Sequence, residues 1–303
     1  MLCCRICAAP VQIRPQFAPW NSPDGDYPLF RCYDEPAHTS SSSGDFSNAE
    51  QSLTDFKLFR NCLRKQVPKC TIDSHLSSAE LQEMFAFESM VELNLKPAYL
   101  HSLWVDEYNF SCVTSRWYGQ QLLFPYGLYY VYKKRSAAKS YVHACLGADL
   151  NEKRLELQMM KKALFCINLL SAKLGDQKYF FGNKPTSFDA LVFGYLAPLV
   201  RLPLPNDKLQ AHIKNCHNLM AFIDSIISIY LPLSEQEITA QQICMKQWLD
   251  RKSRVQAEMR HKTVMEEADK QEYPLRDKIL FGVAAAVLSL IAAVHVGLID
   301  VKH

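Results

Sequence analysis

Two sets of side chains have residue types that could bind a metal ion. His212 and Cys216 lie one helical turn apart with His217 beside them, and Cys4 and Cys7 form a C-x-x-C pair near the start of the chain. A structural zinc ion needs four converging ligands, and a catalytic zinc ion needs three ligands from the protein. Neither set brings three ligands to one face, so the sequence predicts no metal centre.

Aromatic and basic side chains are interleaved from Tyr126 to Lys139, where Lys133, Lys134 and Arg135 stand beside four tyrosines. Such mixtures can stack single-stranded nucleic acid. A surface near anionic lipid and a protein interface explain the mixture equally well, and we favour the protein interface. The net charge of only +3 argues against a strongly basic nucleic-acid binder, so we expect no nucleic-acid partner.

The chain is long enough for two small domains with sizeable cores. Of its 303 residues, 49% are apolar and 21% are charged, which excludes global disorder. The 11 cysteines are odd in number and irregularly spaced. This pattern favours a reducing compartment over a disulfide-stapled secreted scaffold.

Helical periodicity governs the chain from about residue 45 onwards, whereas residues 9–32 have the pattern of short extended pieces. Ser77 and Glu80 have capping-box spacing, and Pro97 should kink or end the helix that they begin. Thr186 and Asp189 have the same spacing and predict an N-cap with a structural role. The other predicted helices occupy about 45–63, 111–145, 152–174 and 207–230.

The strongest single signal is an apolar segment near the C-terminus. The 21 residues Ile279–Ile299 contain no Asp, Glu, Lys, Arg or Pro, and as a helix they would span about 30 Å, the hydrocarbon thickness of a bilayer. Because a buried core helix usually keeps a polar stripe, we predict a membrane span. The anchor residues are Ile279, Leu280, Phe281, Val287, Leu288, Leu290, Ile291, Val294, Leu298 and Ile299.

The flanks of this segment predict its orientation. Arg276–Lys278 precede it and four residues follow it, which is the layout of a tail-anchored protein whose body faces the cytosol. The span is rich in alanine and only moderately hydrophobic, which favours the mitochondrial outer membrane over the endoplasmic reticulum.

The order of these features resembles the glutathione-transferase architecture, in which a thioredoxin-like domain precedes an all-helical domain. Several segments are similar to the metaxin family, and in particular to its metaxin-1 type, which carries a C-terminal anchor. These segments are Pro19–Arg31, Leu100–Phe110, Val113–Tyr118, Leu123–Leu128, Gln177–Ala197 and His217–Tyr230. The block Gln177–Ala197 is the most specific of them.

The resemblance implies a mainly α, glutathione-transferase-like fold with four parts. They are a truncated thioredoxin-like α/β domain (1–70), an all-helical domain (74–232), a polar helical or flexible stalk (233–278) and a transmembrane helix (279–299). The first strand and helix of the thioredoxin-like domain are expected to be missing, because only eight residues precede the segment that matches the family at Ala9–Pro15.

Metaxins are outer-membrane proteins of mitochondria. The resemblance therefore implies a non-enzymatic subunit of the sorting and assembly machinery, which supports protein import and the insertion of β-barrel proteins. The implied partners are a second metaxin of the metaxin-2 type, the barrel insertase and precursor proteins.

Two alternative functions stay open at this point, a tail-anchored adaptor for cytosolic transport partners and a membrane-bound glutathione transferase. Pro28 follows Tyr27 where a transferase holds the glutathione backbone. However, the segment that would carry the thiol-activating residue is absent. We therefore expect Pro28 to be structural and the chain to bind no cofactor.

Overall fold

The computed structural model describes residues 2–7, 9, 30–32, 51–53, 56–66, 72–122, 124–146, 152–272 and 275–295. The chain forms two compact units, residues 1–252 and 253–303. Helices dominate the described residues, which confirms the mainly α fold class.

The described strands form one short antiparallel ladder. Strand β1 (Phe30–Cys32) pairs with strand β2 (Gln51–Leu53), so that Phe30 lies opposite Leu53. The helix predicted from about residue 45 is therefore wrong at its start, since helix α2 begins only at Phe56. Apolar residues three apart, such as Leu53 and Phe56, fit a helical repeat even when a strand ends between them. Two strands do not define a thioredoxin-like domain, which stays a prediction.

The first unit contains both short and long helices. They are α1 (Leu2–Ile6), α2 (Phe56–Gln66), α3 (Ser78–Met90), α4 (Lys96–Leu100), α5 (Glu107–Asn109), α6 (Ser115–Gln121), α7 (Tyr126–Leu146), α8 (Glu152–Leu174), α9 (Ser187–Arg201), α10 (Lys208–Asn215) and α11 (His217–Tyr230). Helix α12 (Glu235–Glu272) begins in the first unit, and α13 (Leu275–His295) belongs to the second. The prediction of a helix over 152–174 is confirmed by α8.

The backbone changes pitch three times between α3 and α6. Three π-helical segments, Val91–Leu95, His101–Val105 and Phe110–Thr114, separate these helices. Pro97 has no N–H to donate to the preceding turn, and the wider turn before it accommodates this loss. The helical run therefore continues past Pro97 and turns only at Asp106, whose ψ of 122° is not helical.

The single helix predicted over 207–230 is wrong, because Cys216 divides it into α10 and α11. Cys216 has a ψ of 87°, outside the helical region. The Asn218 side chain then attaches the start of α11 to the end of α8, donating to the carbonyls of Ser171 at 2.7 Å and Gly175 at 3.2 Å. The break allows each helix to direct its own apolar face inward.

The main core lies among α8, α9 and α11. Phe180 is fully buried just before α9, and its ring packs edge-on against Phe188 at 5.1 Å and Phe222 at 5.3 Å between centroids. Ile167 of α8 and Ile223 of α11 are also fully buried. Aromatic pairs in this geometry add about 0.5–1.5 kcal/mol beyond the burial of their area.

Four of the described cysteines are buried, namely Cys3, Cys4, Cys112 and Cys166. Burial raises the pKa of the Cys3 and Cys166 thiols to about 12, so both stay protonated and behave as small apolar groups. Both thiols are free, whereas Cys62 on α2 is disulfide-bonded and departs from the reduced state expected for this chain.

Candidate functional site

A cluster of polar side chains, all buried except Arg64, joins α2 to the helical body. We name it the polar latch. Its members are Arg60 and Arg64 of α2, Asp73 of the turn before α3, Glu88 of α3, and Ser187 at the start of α9. Residues far apart in sequence meet here, since Ser187 is 114 positions from Asp73 and 127 positions from Arg60.

Asp73 is the acceptor that connects the latch to α9. Its carboxylate accepts the backbone N–H and the hydroxyl of Ser187, each at 2.7 Å, and it also accepts a hydrogen bond from Arg64 at 2.5 Å. The φ of Asp73 is +64°, a left-handed conformation that Asp adopts more readily than most residues. The three hydrogen bonds hold the residue in this conformation.

Arg60 and Glu88 form the charged centre of the latch. They are ion-paired with side chains only 6% and 4% exposed, and Arg60 also donates to the hydroxyl of Ser187 at 3.1 Å. Removing one charge from such a pair leaves the other buried without compensation, which typically costs about 3–5 kcal/mol. The pair therefore fixes the position of α2 on α3 and α9.

The structure places Thr186 at the N-cap of α9 and Asp189 at its N3 position. The Asp189 carboxylate accepts the N–H of Thr186 at 2.7 Å and its hydroxyl at 2.6 Å. It also accepts the N–H of Phe180 at 3.0 Å, a contact that the S/T-x-x-D spacing does not indicate. Burial raises the pKa of Asp189 to about 6, although its hydrogen bonds act in the opposite direction.

The described residues considered for metal binding make contacts within the fold. His212 Nε2 lies 2.8 Å from Asn168 Oδ1, and the Cys216 thiol donates to the carbonyl of His212 at 3.6 Å. In the part of the chain that the structure describes, no three His, Cys, Asp or Glu residues are placed to hold a metal ion. Pro28 and Tyr27 lie outside the described residues.

Exposed apolar side chains gather instead where α6 turns into α7. We name this group the aromatic tip and define it as Trp117, Phe124, Leu128, Tyr129 and Tyr132. Their exposed fractions are 48%, 84%, 64%, 60% and 73% respectively. Aromatic residues are the side chains most often found at interaction hot spots, so the tip is the candidate interaction surface.

The tip rests on a row of aromatic rings in contact. Tyr118 lies 5.1 Å from the largely buried Trp104, 4.7 Å from Trp117 and 6.1 Å from Tyr130, measured between ring centroids. The turn between the helices is tight, because a Cβ atom at Gly127 would lie only 3.2 Å from the Cβ of Leu122. The exposed side chains are thus carried on a packed base.

A hydrogen-bonded corner fixes the direction in which α6 leaves the body. The buried Asn109 amide donates to the carbonyls of Ser102 at 2.9 Å and Asn206 at 3.0 Å, and its oxygen accepts the N–H of Asn206 at 2.8 Å. Thr114 donates to the carbonyl of Leu103 at 2.6 Å. Asn109 was not identified from the sequence. The signal that could have identified it is its position among apolar residues in a helical pattern.

The basic surface of α7 is smaller than the sequence suggests. Arg135 makes contacts within the fold. It forms an ion pair with Glu107, and its guanidinium carbon lies 4.0 Å from the centroid of the Phe110 ring. Lys134 is half-buried near the Tyr130 ring, whereas Lys133 and Lys139 are exposed.

The predicted anchor residues fall mainly on α13. The side chains of Ile279, Leu280, Phe281, Val287 and Leu288 are 49–78% exposed. Leu290, Ile291 and Val294 belong to α13, while Leu298 and Ile299 lie outside the described residues. Over the ranges that the structure describes, no helix combines the length and the apolar character needed to cross a membrane.

Two family models match different parts of the chain. The model described as "Outer mitochondrial membrane transport complex protein" matches residues 1–135. The model described as "Glutathione S-transferase, C-terminal domain" matches residues 163–226, which include α9, α10 and most of α11.

Curated relatives match over most of the chain. It is 41% identical to a "Metaxin-1 homolog" of Caenorhabditis briggsae, over 100% of this chain and 91% of the relative. It is 33% identical to "Metaxin-1" of Homo sapiens over 78% of this chain and 48% of the relative. It is 35% identical to "Metaxin-3" of Xenopus laevis over 75% of this chain and 68% of the relative. No solved structure is significantly similar to the chain.

The raised pKa of Asp189 predicts a pH-dependent stability. The folded chain keeps the Asp189 proton up to about pH 6, while the ordinary pKa is 3.8, so the folded state binds more protons in this window. The free energy of unfolding should then fall as pH rises through the window and level off above it. The free energy of unfolding is measured in urea for the native chain and for the variant Asp189→Asn. The difference between the two, native minus variant, should fall by up to about 3 kcal/mol between these pH values.

The variant Thr186→Ser is the matched control for this experiment, because it keeps the hydroxyl that donates to Asp189. It should show the same pH slope as the native chain. If the free energy of unfolding of the native chain instead rises with pH relative to Asp189→Asn, the hydrogen bonds to the carboxylate outweigh its burial. This result would contradict the prediction.

Proposed function

The chain belongs to the metaxin family, and on this premise we propose that it is a non-enzymatic subunit of the mitochondrial sorting and assembly machinery. In this role it supports protein import and the insertion of β-barrel proteins at the outer membrane. The observation that carries the proposal is the 41% identity to a metaxin-1 homologue over the whole chain. The match of residues 1–135 to an outer mitochondrial membrane transport family supports the same assignment.

The proposed location is the mitochondrial outer membrane, with the body facing the cytosol and α13 at the anchor. The apolar segment Ile279–Ile299 and its charged flank Arg276–Lys278 support this arrangement. The large apolar side chains from Ile279 to Leu288 are exposed, which costs free energy in water and is favourable in lipid.

The proposed domain organisation keeps four parts. A thioredoxin-like domain occupies 1–70, an all-helical domain 74–232, a stalk 233–278 and the anchor 279–299. The match of residues 163–226 to the transferase C-terminal domain supports the second part. The continuous helix α12, Glu235–Glu272, favours a helical form of the stalk.

The polar interior supports a non-enzymatic role. Asp73, Glu88 and Asp189 are the carboxylates that the fold buries among the described residues. Asp73 and Glu88 attach one helix to another, while Asp189 caps the start of α9 and accepts the N–H of Phe180 just before it. Groups committed to such contacts position helices rather than carry out acid–base chemistry. A glutathione transferase would instead hold its substrate, so retention of the chain on glutathione resin would favour that alternative.

The proposed partners are a second metaxin of the metaxin-2 type, the barrel insertase and precursor proteins. The adaptor alternative would use the same anchor and exposed helical surface with cytosolic transport proteins. The two roles therefore differ in which proteins accompany the chain.

Migration on a native gel tests the assembly role directly. Mitochondria that carry a tagged copy are solubilised in mild detergent, and the gel is probed for the insertase and the second metaxin. Co-migration of all three in one large complex is the expected result. Migration of the chain alone, or only with cytosolic transport proteins, would overturn the proposal.

Removal of the anchor tests the location. A chain that ends at Asp277 lacks the whole apolar segment and should fractionate with the cytosol, because little apolar surface is left to hold it in lipid. A chain that ends at Ile299 is the matched control and should stay with the membrane after carbonate extraction. If the shorter chain still sediments with mitochondria, a contact of the body with a partner or with lipid is the main tether.

A further inference from the structure

The aromatic tip lies in a part of the sequence without acidic residues. No Asp or Glu occurs between Glu107 and Asp149, while Arg116, Lys133 and Lys139 are exposed in this interval. An anionic surface would therefore meet attraction from several cations and no acidic side chain of this segment.

The exposed residues of α7 are ordered along one face of the helix. At 100° per residue, Leu128, Tyr129 and Tyr132 lie within about 100° of each other in the first two turns, and Lys133 and Lys139 border or share the same face. Lys133 lies about 8 Å beyond Leu128 along the axis, and Lys139 lies about 16 Å beyond it. The apolar groups thus occupy the end of the helical hairpin, and the charged groups follow behind them.

We propose that the aromatic tip inserts into the interfacial region of an anionic bilayer, with Lys133 and Lys139 directed towards the lipid headgroups. The inference rests on the proposed function in one respect, which is that the chain resides at a membrane. Tyrosine and tryptophan prefer the level of the headgroups, and Phe124 at the turn is the most exposed of the five side chains. Each lysine near an anionic surface contributes about 1 kcal/mol.

The size and shape of the tip favour lipid, in place of the protein interface that the sequence favoured for this stretch. A stable protein interface typically uses about 20–30 residues on each side, whereas the tip presents five apolar side chains at a narrow turn. Weak insertion is sufficient for stable contact with the bilayer when the same chain also carries an anchor. The anchor raises the effective concentration of the tip at the membrane.

Fluorescence quenching by brominated lipid tests the insertion with the full-length chain. The chain is reconstituted into phosphatidylcholine vesicles with brominated acyl chains, with or without phosphatidylglycerol. The emission of the native chain minus that of Trp117→Phe isolates the signal of Trp117. We expect this signal to be quenched only in the vesicles that contain phosphatidylglycerol.

Charge removal identifies the groups responsible. Lys133→Gln and Lys139→Gln should each lower partitioning of the tip by about fivefold. Lys161→Gln and Lys162→Gln, which replace exposed lysines of α8, are the matched controls and should leave it unchanged. Likewise Phe124→Ser should abolish the quenching, while Phe165→Ser at another exposed phenylalanine should not.

The outcomes separate this inference from the proposed function. A chain that floats with both kinds of vesicle while its Trp117 signal stays unquenched overturns the inference and leaves the membrane location intact. A chain that floats with neither contradicts both. Equal quenching with and without phosphatidylglycerol overturns the role of the lysines. If Trp117 is shielded from aqueous iodide only when mitochondrial surface proteins are added, that result overturns the insertion into lipid and favours a protein partner.

Discussion

The burial of charge at the polar latch is the constraint on which the first unit depends. Arg60 and Glu88 are almost wholly removed from water, and burying an ion is costly unless its partner and hydrogen bonds are in place. Ser187 connects this pair to Asp73, whose carboxylate also pairs with Arg64. One arrangement of α2, α3 and α9 makes these contacts together. The latch thus gives specificity to a core whose apolar packing alone would tolerate small shifts.

From this fixed centre the fold extends to the surface that we connect with function. The run of π-helical and α-helical turns after α3 leads to the corner at Asn109, and this corner directs α6 away from the body. The ring of Tyr118 packs between Trp104 and Tyr130, so the tip is carried on rigid neighbours. A scaffold of this kind suits a protein whose role is to hold a surface in place at a membrane.

Local patterns were readable from the sequence, and contacts between distant residues were not. The spacing of Ser77 and Glu80 predicts a capping box because both hydrogen bonds close within one turn, and the structure confirms it. The even apolar repeat of α8 gives its limits correctly. In contrast, the latch joins residues up to 127 positions apart, and no spacing rule reports such a meeting. The break at Cys216 was missed for a similar reason, since neither Gly nor Pro marks it and the attachment of Asn218 to α8 is tertiary.

A double-mutant cycle on Arg60→Met and Glu88→Leu tests most directly whether the latch holds the first unit together. Each single change should lower the free energy of unfolding by about 3–5 kcal/mol, because it leaves one buried charge uncompensated. The double variant should lose less than the sum, with a coupling of about 1–3 kcal/mol. The same cycle on the half-exposed pair Arg201 and Asp224 should give a coupling below about 1 kcal/mol. Effects at Arg60 and Glu88 that simply add would contradict the account, because the two helices would then be held by apolar packing alone.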